Sequence, residues 1–403
     1  MEEWKEYKLR EIGRIVGGAT PPTKDSANYD GDISWITPKD LSNFTGRYIQ
    51  KGERSITQKG FESSSCQILP KGSILFSSRA PIGYIAIAAN ELCTNQGFKS
   101  IIPDNNLVNN LFLYYLLKYN KEEIEGLGSG TTFKEVSAKV MQNFDIKIPS
   151  IQTQKKIADI LSSLDDKIEL NRRINDNLEQ QAQALFKSWF VDFEPFKKGK
   201  FIDSELGMIP EGWQVEELGN ITNSITEKVG KRTDIKVLSP VNTGDLLLSE
   251  EYFTKQVYSK NLAKYIMVAP NDFAYNPARI NIGSIGMNTF DFSGCVSPVY
   301  VVFRCEKEYH HFFNIFKATK NFKEEVNTRA IGGVRQTLSY KDFSLIKIVY
   351  PPKEVVNQFN KIYSHIMTLI KKNVLENKRL HQTRETLLPK LMSGELKIKD
   401  INN

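Results

Sequence analysis

Nothing in this chain is long and apolar enough to enter a bilayer. Its longest hydrophobic stretches, "YIAIAA" (84–89) and "VYVVF" (299–303), are strand-length, against about 20 residues for a spanning helix. Met1-Glu2-Glu3 carries no cationic leader pattern, so no signal peptide is expected. Cysteine is scarce: Cys66, Cys93, Cys295 and Cys305 show no CxxC spacing, and of four histidines only His310 and His311 are paired. A zinc site is not expected, and reduced buried thiols in a cytoplasmic protein are. There is no Walker loop, no GxSxG and no Cys/His dyad.

Three short motifs mimic enzyme signatures. "NPAR" (276–279) resembles the Asn-Pro-Pro-aromatic motif of amino-methyltransferases, but Ala278 and Arg279 stand in its last two places and no glycine-rich cofactor loop precedes it. "IGSIG" (282–286) lacks the helix that a dinucleotide loop requires. "VDFEPFKK" (191–198) brings Asp192, Glu194 and Lys197 together like a nuclease triad, and its plainer reading is a solvated junction. No catalytic site and no metal site is assigned.

What the chain does have is a second beginning. "DSELGMIPEGWQVEELGNI" (203–221) places Trp213, Leu218 and Ile221 at the spacing of Trp4, Leu9 and Ile12. Pro70, Arg79, Gly83 and Ile85 then match Pro270, Arg279, Gly283 and Ile285. From Cys93/Cys295 the offset holds at 202, carrying Gly130, Ser137, Lys139, Ile146, Pro149 and Leu178 onto Gly332, Ser339, Lys341, Ile348, Pro351 and Leu380. A period this long is no solenoid. It predicts two homologous domains, each with its own core.

Each copy ends in a heptad-patterned helix. Ile157, Leu161, Leu164, Ile168, Asn171, Asn175, Leu178, Ala182, Leu185 and Trp189 form one seam. Phe359, Tyr363, Ile366, Ile370, Asn373, Asn377, Leu380, Arg384, Leu387 and Leu391 form the other. Two asparagines occupy the same central places in both; they are either accidents of a generic bundle or buried pairs that fix register. The expected fold is α+β: two globular domains separated by two long antiparallel coiled-coil helices, pseudo-twofold symmetric. Expected segments are 1–150, 151–195, 196–351 and 352–403.

Polar and basic residues recur in matching loops. "SSRAPIG" (Ser77, Ser78, Arg79) and "NPARINIG" (Asn276, Arg279, Asn281) each place an arginine after an apolar strand. Such an arginine either grips a guanine edge or a phosphate, or serves as an internal salt bridge. Glycine-led "GSGTTFKEVS" offers Ser129, Thr131, Thr132 and Lys134, and the stretch around "IGGVRQTLS" offers Arg329, Arg335 and Gln336. Both suit phosphate contacts, or are ordinary turns. "TNQGFK" adds Gln96 and Lys99. The net charge of +7 permits a polyanionic partner without demanding one.

With these residues assembled, the chain resembles the DNA-specificity subunits of type I restriction–modification systems over nearly its whole length. "DSELGMIPEGW", "LPKGSILFSSRAPIG", "TNQG", "GSGTTFKEVS" and "IPSIQTQKKIADIL" carry the resemblance. It implies a non-catalytic subunit whose two target-recognition domains each read half of an interrupted duplex DNA target. The helices then set the spacing and dock two methyltransferase subunits, through which motor-nuclease subunits join. S-adenosylmethionine, ATP and magnesium would sit on those partners, with no cofactor here. The weighed alternatives are a DNA adenine methyltransferase and a scaffold that does not bind DNA. The second lead-in, "YPPKEVVNQFNKIY", lacks the glutamine-led form of the first, and Arg384 interrupts the second seam where Ala182 stands in the first.

Overall fold

A computed structural model of the chain describes residues 4–130, 134–253, 255–330 and 337–397. It divides into two compact units, Met1–Arg173 with Asn373–Asn403, and Ile174–Lys372. Each unit holds one globular copy and half of each long helix. The division falls inside the helices because each half-seam belongs to the core of its own unit.

In the first unit, Lys5–Lys8 pairs antiparallel with Asp145–Ile148, joining the copy's start to its end. A five-stranded sheet follows the order Gly13–Gly17, Lys99–Pro103, Ile74–Phe76, Ile85–Ala88, Tyr48–Ile49. Side chains alternate across each strand. Ile74, Phe76 and Ile87 enter one core with Phe112 and Leu116, while Leu75, Ala86 and Ala88 enter another with Ile36, Leu41 and Phe98. With both faces covered, "GSILFS" and "GYIAIA" read as continuous apolar runs.

The second unit repeats this plan. Gln214–Glu217 pairs with Lys347–Tyr350. Its four-stranded sheet, Thr222–Ile225, Val301–Cys305, Phe273–Tyr275, Ile285–Met287, has the order of the first four strands above. Phe273, Tyr275 and Phe303 face one core; Ala274 and Val302 face another. The shared serines are helix caps: Ser137 accepts from the Val140 amide at 3.2 Å and Ser339 from the Asp342 amide at 3.1 Å, each worth about 1 kcal/mol. Divergence lies where the offset slips. The first unit adds a three-stranded sheet (Ser55–Ile56, Tyr29–Ile36, Cys93–Thr94), and the second adds two separate two-stranded ribbons.

The two beginnings do the same job. Trp213 packs on Phe190, Phe193 and Phe196, with ring centroids 6.0, 5.4 and 5.1 Å away. Those residues close the first long helix. Trp4 lies against Phe112 at 6.4 Å and over Gly394, just past the second long helix, where a Cβ would come within 3.0 Å of its indole nitrogen. Each copy thus opens with a tryptophan seated on the exit of a long helix. The charges of "VDFEPFKK" pair locally, Asp192 with Lys187 at 2.5 Å and Glu194 with Lys197 at 2.6 Å, while its phenylalanines are the packed part.

Both long helices, Ile151–Phe190 and Lys353–Met392, contain 40 residues, about 60 Å at 1.5 Å per residue. Within the first unit Ile157 and Leu161 share a core with Leu388, Leu391 and Met392. Within the second, Phe186 and Phe190 meet Phe359 at 6.1 and 5.0 Å. In both units residue numbers rise along one helix as they fall along the other, so the pairing is antiparallel. The Asn171 amide donates to Asn377 Oδ1 at 2.9 Å and to Glu376 at 2.9 Å, and Asn377 returns a bond to the Ile168 carbonyl at 3.3 Å. In the second unit Asn175 donates to the Ile370 carbonyl at 3.4 Å. These bonds exist in one register only, which favours the register-fixing reading of the asparagines.

Arg384 does not interrupt the packing. It is buried and paired with Asp165, which also accepts from the Tyr115 hydroxyl at 2.6 Å. The leading glutamine of the first copy has a structural role. Gln154 is fully buried, donating to the Leu107 and Pro149 carbonyls at 3.0 and 2.9 Å and accepting from the Asn109 amide at 2.9 Å. Its equivalent in the second copy, Val356, is also fully buried but lies in an apolar core.

Candidate nucleic-acid interface

In the first unit the strand-exit turn, the "TNQG" loop and the glycine-led loop are held together by backbone bonds. The Ser78 amide donates to the Gly97 carbonyl at 2.7 Å, and the Val136 amide donates to the Ser78 carbonyl at 2.8 Å. Ser129 and Glu135 exchange amide–carbonyl bonds at 3.0 and 2.8 Å, closing the glycine-led loop at its base. Gly83 ends the turn at φ +85°, in the left-handed region where a side chain is strained.

This scaffold gathers a small charged group. Glu135 accepts from Arg79 Nε at 3.0 Å and from Lys99 Nζ at 3.3 Å. Partial burial raises the Glu135 carboxyl, but the hydrogen bonds from Arg79 and Lys99 outweigh it and hold the group below its usual range. Arg79 remains half exposed and, among the described residues, only its Nε is engaged. Its terminal nitrogens are left for a further partner. Lys99 is nearly covered, Lys134 lies over Gly128, and Ser129 is exposed. Gln96 is exposed and accepts from the Thr20 hydroxyl.

Ser77 and Ser78 must be withdrawn from the surface. Both are fully buried. The Ser77 hydroxyl donates to the Pro81 carbonyl and accepts from the Tyr84 amide, each at 2.8 Å, and Ser78 donates to the Gly97 carbonyl at 3.2 Å. They shape the turn that carries Arg79. Thr131, Thr132, Arg335 and Gln336 lie outside the described residues.

The second unit has a similar stitch, displaced by one residue: the Leu338 amide donates to the Pro277 carbonyl at 3.1 Å. Asn276 Oδ1 accepts from the Ala278 amide at 3.0 Å, so this asparagine folds its own turn, and Gly283 ends that turn at φ +93°. Arg279 is exposed and pairs with no described carboxylate. Asn281 is exposed on the short 3-10 turn Ile280–Ile282. Arg329 is tied to Glu325 at 3.0 Å on its own helix. The salt-bridge reading therefore holds for Arg79, through its Nε, and finds no described carboxylate for Arg279. Glu135, which the sequence reading passed over, is the residue that aims Arg79; its only signal was a carboxylate inside an otherwise basic loop.

Residues 1–180 match the model of the type I restriction modification DNA specificity domain. The MjaIX specificity subunit of a type I restriction enzyme from Methanocaldococcus jannaschii is 35% identical over 99% of this chain and 95% of its own length. The HindI specificity subunit from Haemophilus influenzae is 25% identical over 98% of this chain and 100% of its own. The S subunit of the type I restriction–modification system of M. genitalium superposes with a TM-score of 0.60, covering 97% of this chain and 96% of that one at 15% identity, a likeness of fold. With its duplicated sheets, its antiparallel helix halves and these relatives, the chain belongs to the family of type I restriction enzyme specificity subunits.

Proposed function

We propose that this chain is the non-catalytic subunit that reads a two-part DNA sequence, one half by each globular copy. The helices set the distance between the halves and dock two methyltransferase subunits, through which the motor-nuclease subunits attach. The observation that carries the reading is the repeated stitch. Val136 to Ser78 and Leu338 to Pro277 tie an arginine-bearing turn to the residues that follow the glycine-led stretch in each copy. Two arginines so presented suit bidentate contact with guanine or phosphate, and Gln96, Lys99, Ser129, Lys134, Asn276, Asn281 and Arg329 flank them. Thr131, Thr132, Arg335 and Gln336 extend the proposed surface.

Methyl transfer from S-adenosylmethionine and cleavage driven by ATP with magnesium are assigned to the partners, in the cytoplasm. No helix among the described residues is long and apolar enough to cross a membrane. Mapping modified bases in cells that carry the complex tests the proposal. Two short specified blocks separated by an unspecified gap, lost on deleting this chain, support it. A continuous motif, or modification that survives the deletion, overturns it.

A further inference from the structure

The second unit carries a lobe that the sequence reading did not single out. The stretch from Glu227 to Gly230 lies antiparallel against Ala263 to Met267. Met267 donates to the Glu227 carbonyl at 2.8 Å, Val229 to Tyr265 at 2.9 Å and Gly230 to Ala263 at 3.0 Å. Val229 and Tyr265 point inward to a small core with Val237 and Cys295. Lys228 stands in that pairing opposite Ile266, Lys264 lies in the turn closed by the Tyr265 amide on the Leu262 carbonyl at 2.8 Å, and both lysines are exposed.

Lys231 and Lys260 extend that exposed surface on the turns beside it. None of these four cations pairs with a described carboxylate. Of the lobe's acidic groups, Glu227 is taken by Arg232 at 2.5 Å. Arg232 also donates to the Lys228 carbonyl at 3.0 Å, closing the turn that holds Lys231. Some cations of the first unit are paired, Lys39 with Glu53 at 2.6 Å and Lys59 with Asp25 at 2.7 Å.

We propose that Lys228, Lys231, Lys260 and Lys264 form a phosphate-backbone contact on the second unit, gripping duplex DNA beside its half of the target and independent of base sequence. This rests on the DNA-reading function proposed above. Neutralised phosphates release counterions, and each contact contributes about 0.9 to the slope of log affinity against log salt.

The test uses the complex reconstituted with its methyltransferase subunits, titrated onto a target duplex from low to high salt. The variant carries Lys228→Gln, Lys231→Gln, Lys260→Gln and Lys264→Gln. A control carries Lys198→Gln, Lys200→Gln, Lys307→Gln and Lys323→Gln, all exposed and off the long helices. The variant's slope should fall by about 2–4, its modified motif should stay unchanged, and the control should keep the wild-type slope. An unchanged slope, an equal fall in the control, or weakened methyltransferase association in place of a slope change overturns the proposal. Failure of the wild-type complex to prefer any sequence would instead overturn the DNA-reading function itself, and is seen before any variant is made.

Discussion

Asp165 accepts from Arg384 between the paired helices of the first unit, whereas the equivalent positions in the second copy, Met367 and Ala182, belong to an apolar core. One duplicated seam has thus been closed in two ways. The charged version is anchored further by Tyr115 donating to Asp165 at 2.6 Å and by Arg47, which binds Asp166 and reaches the Tyr115 hydroxyl at 3.3 Å. Arg384→Ala leaves Asp165 buried and uncompensated, and should cost about 3–5 kcal/mol of the first unit's stability. Adding Asp165→Met, which copies the second unit's chemistry, should recover most of that loss. Denaturant titration of the single and double variants checks both values. Additive losses would contradict the pairing.

Arg79 and Arg279 occupy matching turns but differ in restraint, one held by Glu135 and the other paired with no described carboxylate. Each replaced by alanine should weaken target binding by about 1–3 kcal/mol and relax one base position, in opposite halves of the target. Competition binding against single-base variants of the duplex reads this out. A uniform loss across all sequences would assign both arginines to phosphate instead.

The second unit contains an acid-labile point. Burial, reinforced by His310 and Lys371, pushes the His311 imidazole down to about 3. It lies tilted against Tyr363 with centroids 5.0 Å apart. A base with a depressed folded value is neutral in the native state and takes up a proton only on unfolding. Its contribution is complete above the unfolded value of 6.5 and is lost as pH falls toward 3. By pH 5 the loss should reach about 2 kcal/mol. Urea midpoints measured from pH 7 to 4 should decline less in His311→Gln than in wild type; parallel declines would refute the assignment.

The helices are proposed as a ruler, so their length should set the permitted gap. Matched seven-residue insertions after Arg173 and after Lys372 add two turns, about 10 Å, to each. The modified motif should then show a gap longer by about three base pairs, at 3.4 Å per pair. An unchanged gap in a stable variant would remove the ruler.

The duplication and both helices were legible because their signals are periodic. Leu161, Ile168, Tyr363, Ile366 and Ile370 recur at heptad spacing and are buried, and Leu164, Leu178 and Leu380 are half-buried on the same seam. The asparagines were legible for the same reason. The strand order was not, since three- to five-residue strands covered on both faces lose the alternation that marks a face. Ser77 and Ser78 were misplaced because a polar pair after an apolar strand looks like a surface turn, and nothing local reveals that their hydroxyls bond inward. The Asp165–Arg384 pair spans 219 positions, and Arg384 alone reads as a fault in the seam. The lysine lobe was hidden by dilution: its cations sit in two stretches about thirty residues apart, and only the ladder between them brings their charge together.

The most direct measurement is an exchange of residues 1–150 for the corresponding segment of a relative with a different target, followed by mapping of modified bases. The two-copy account predicts that one block of the motif changes to the relative's, while the other block and the gap stay as they were. A motif altered in both blocks, or in neither, would contradict it.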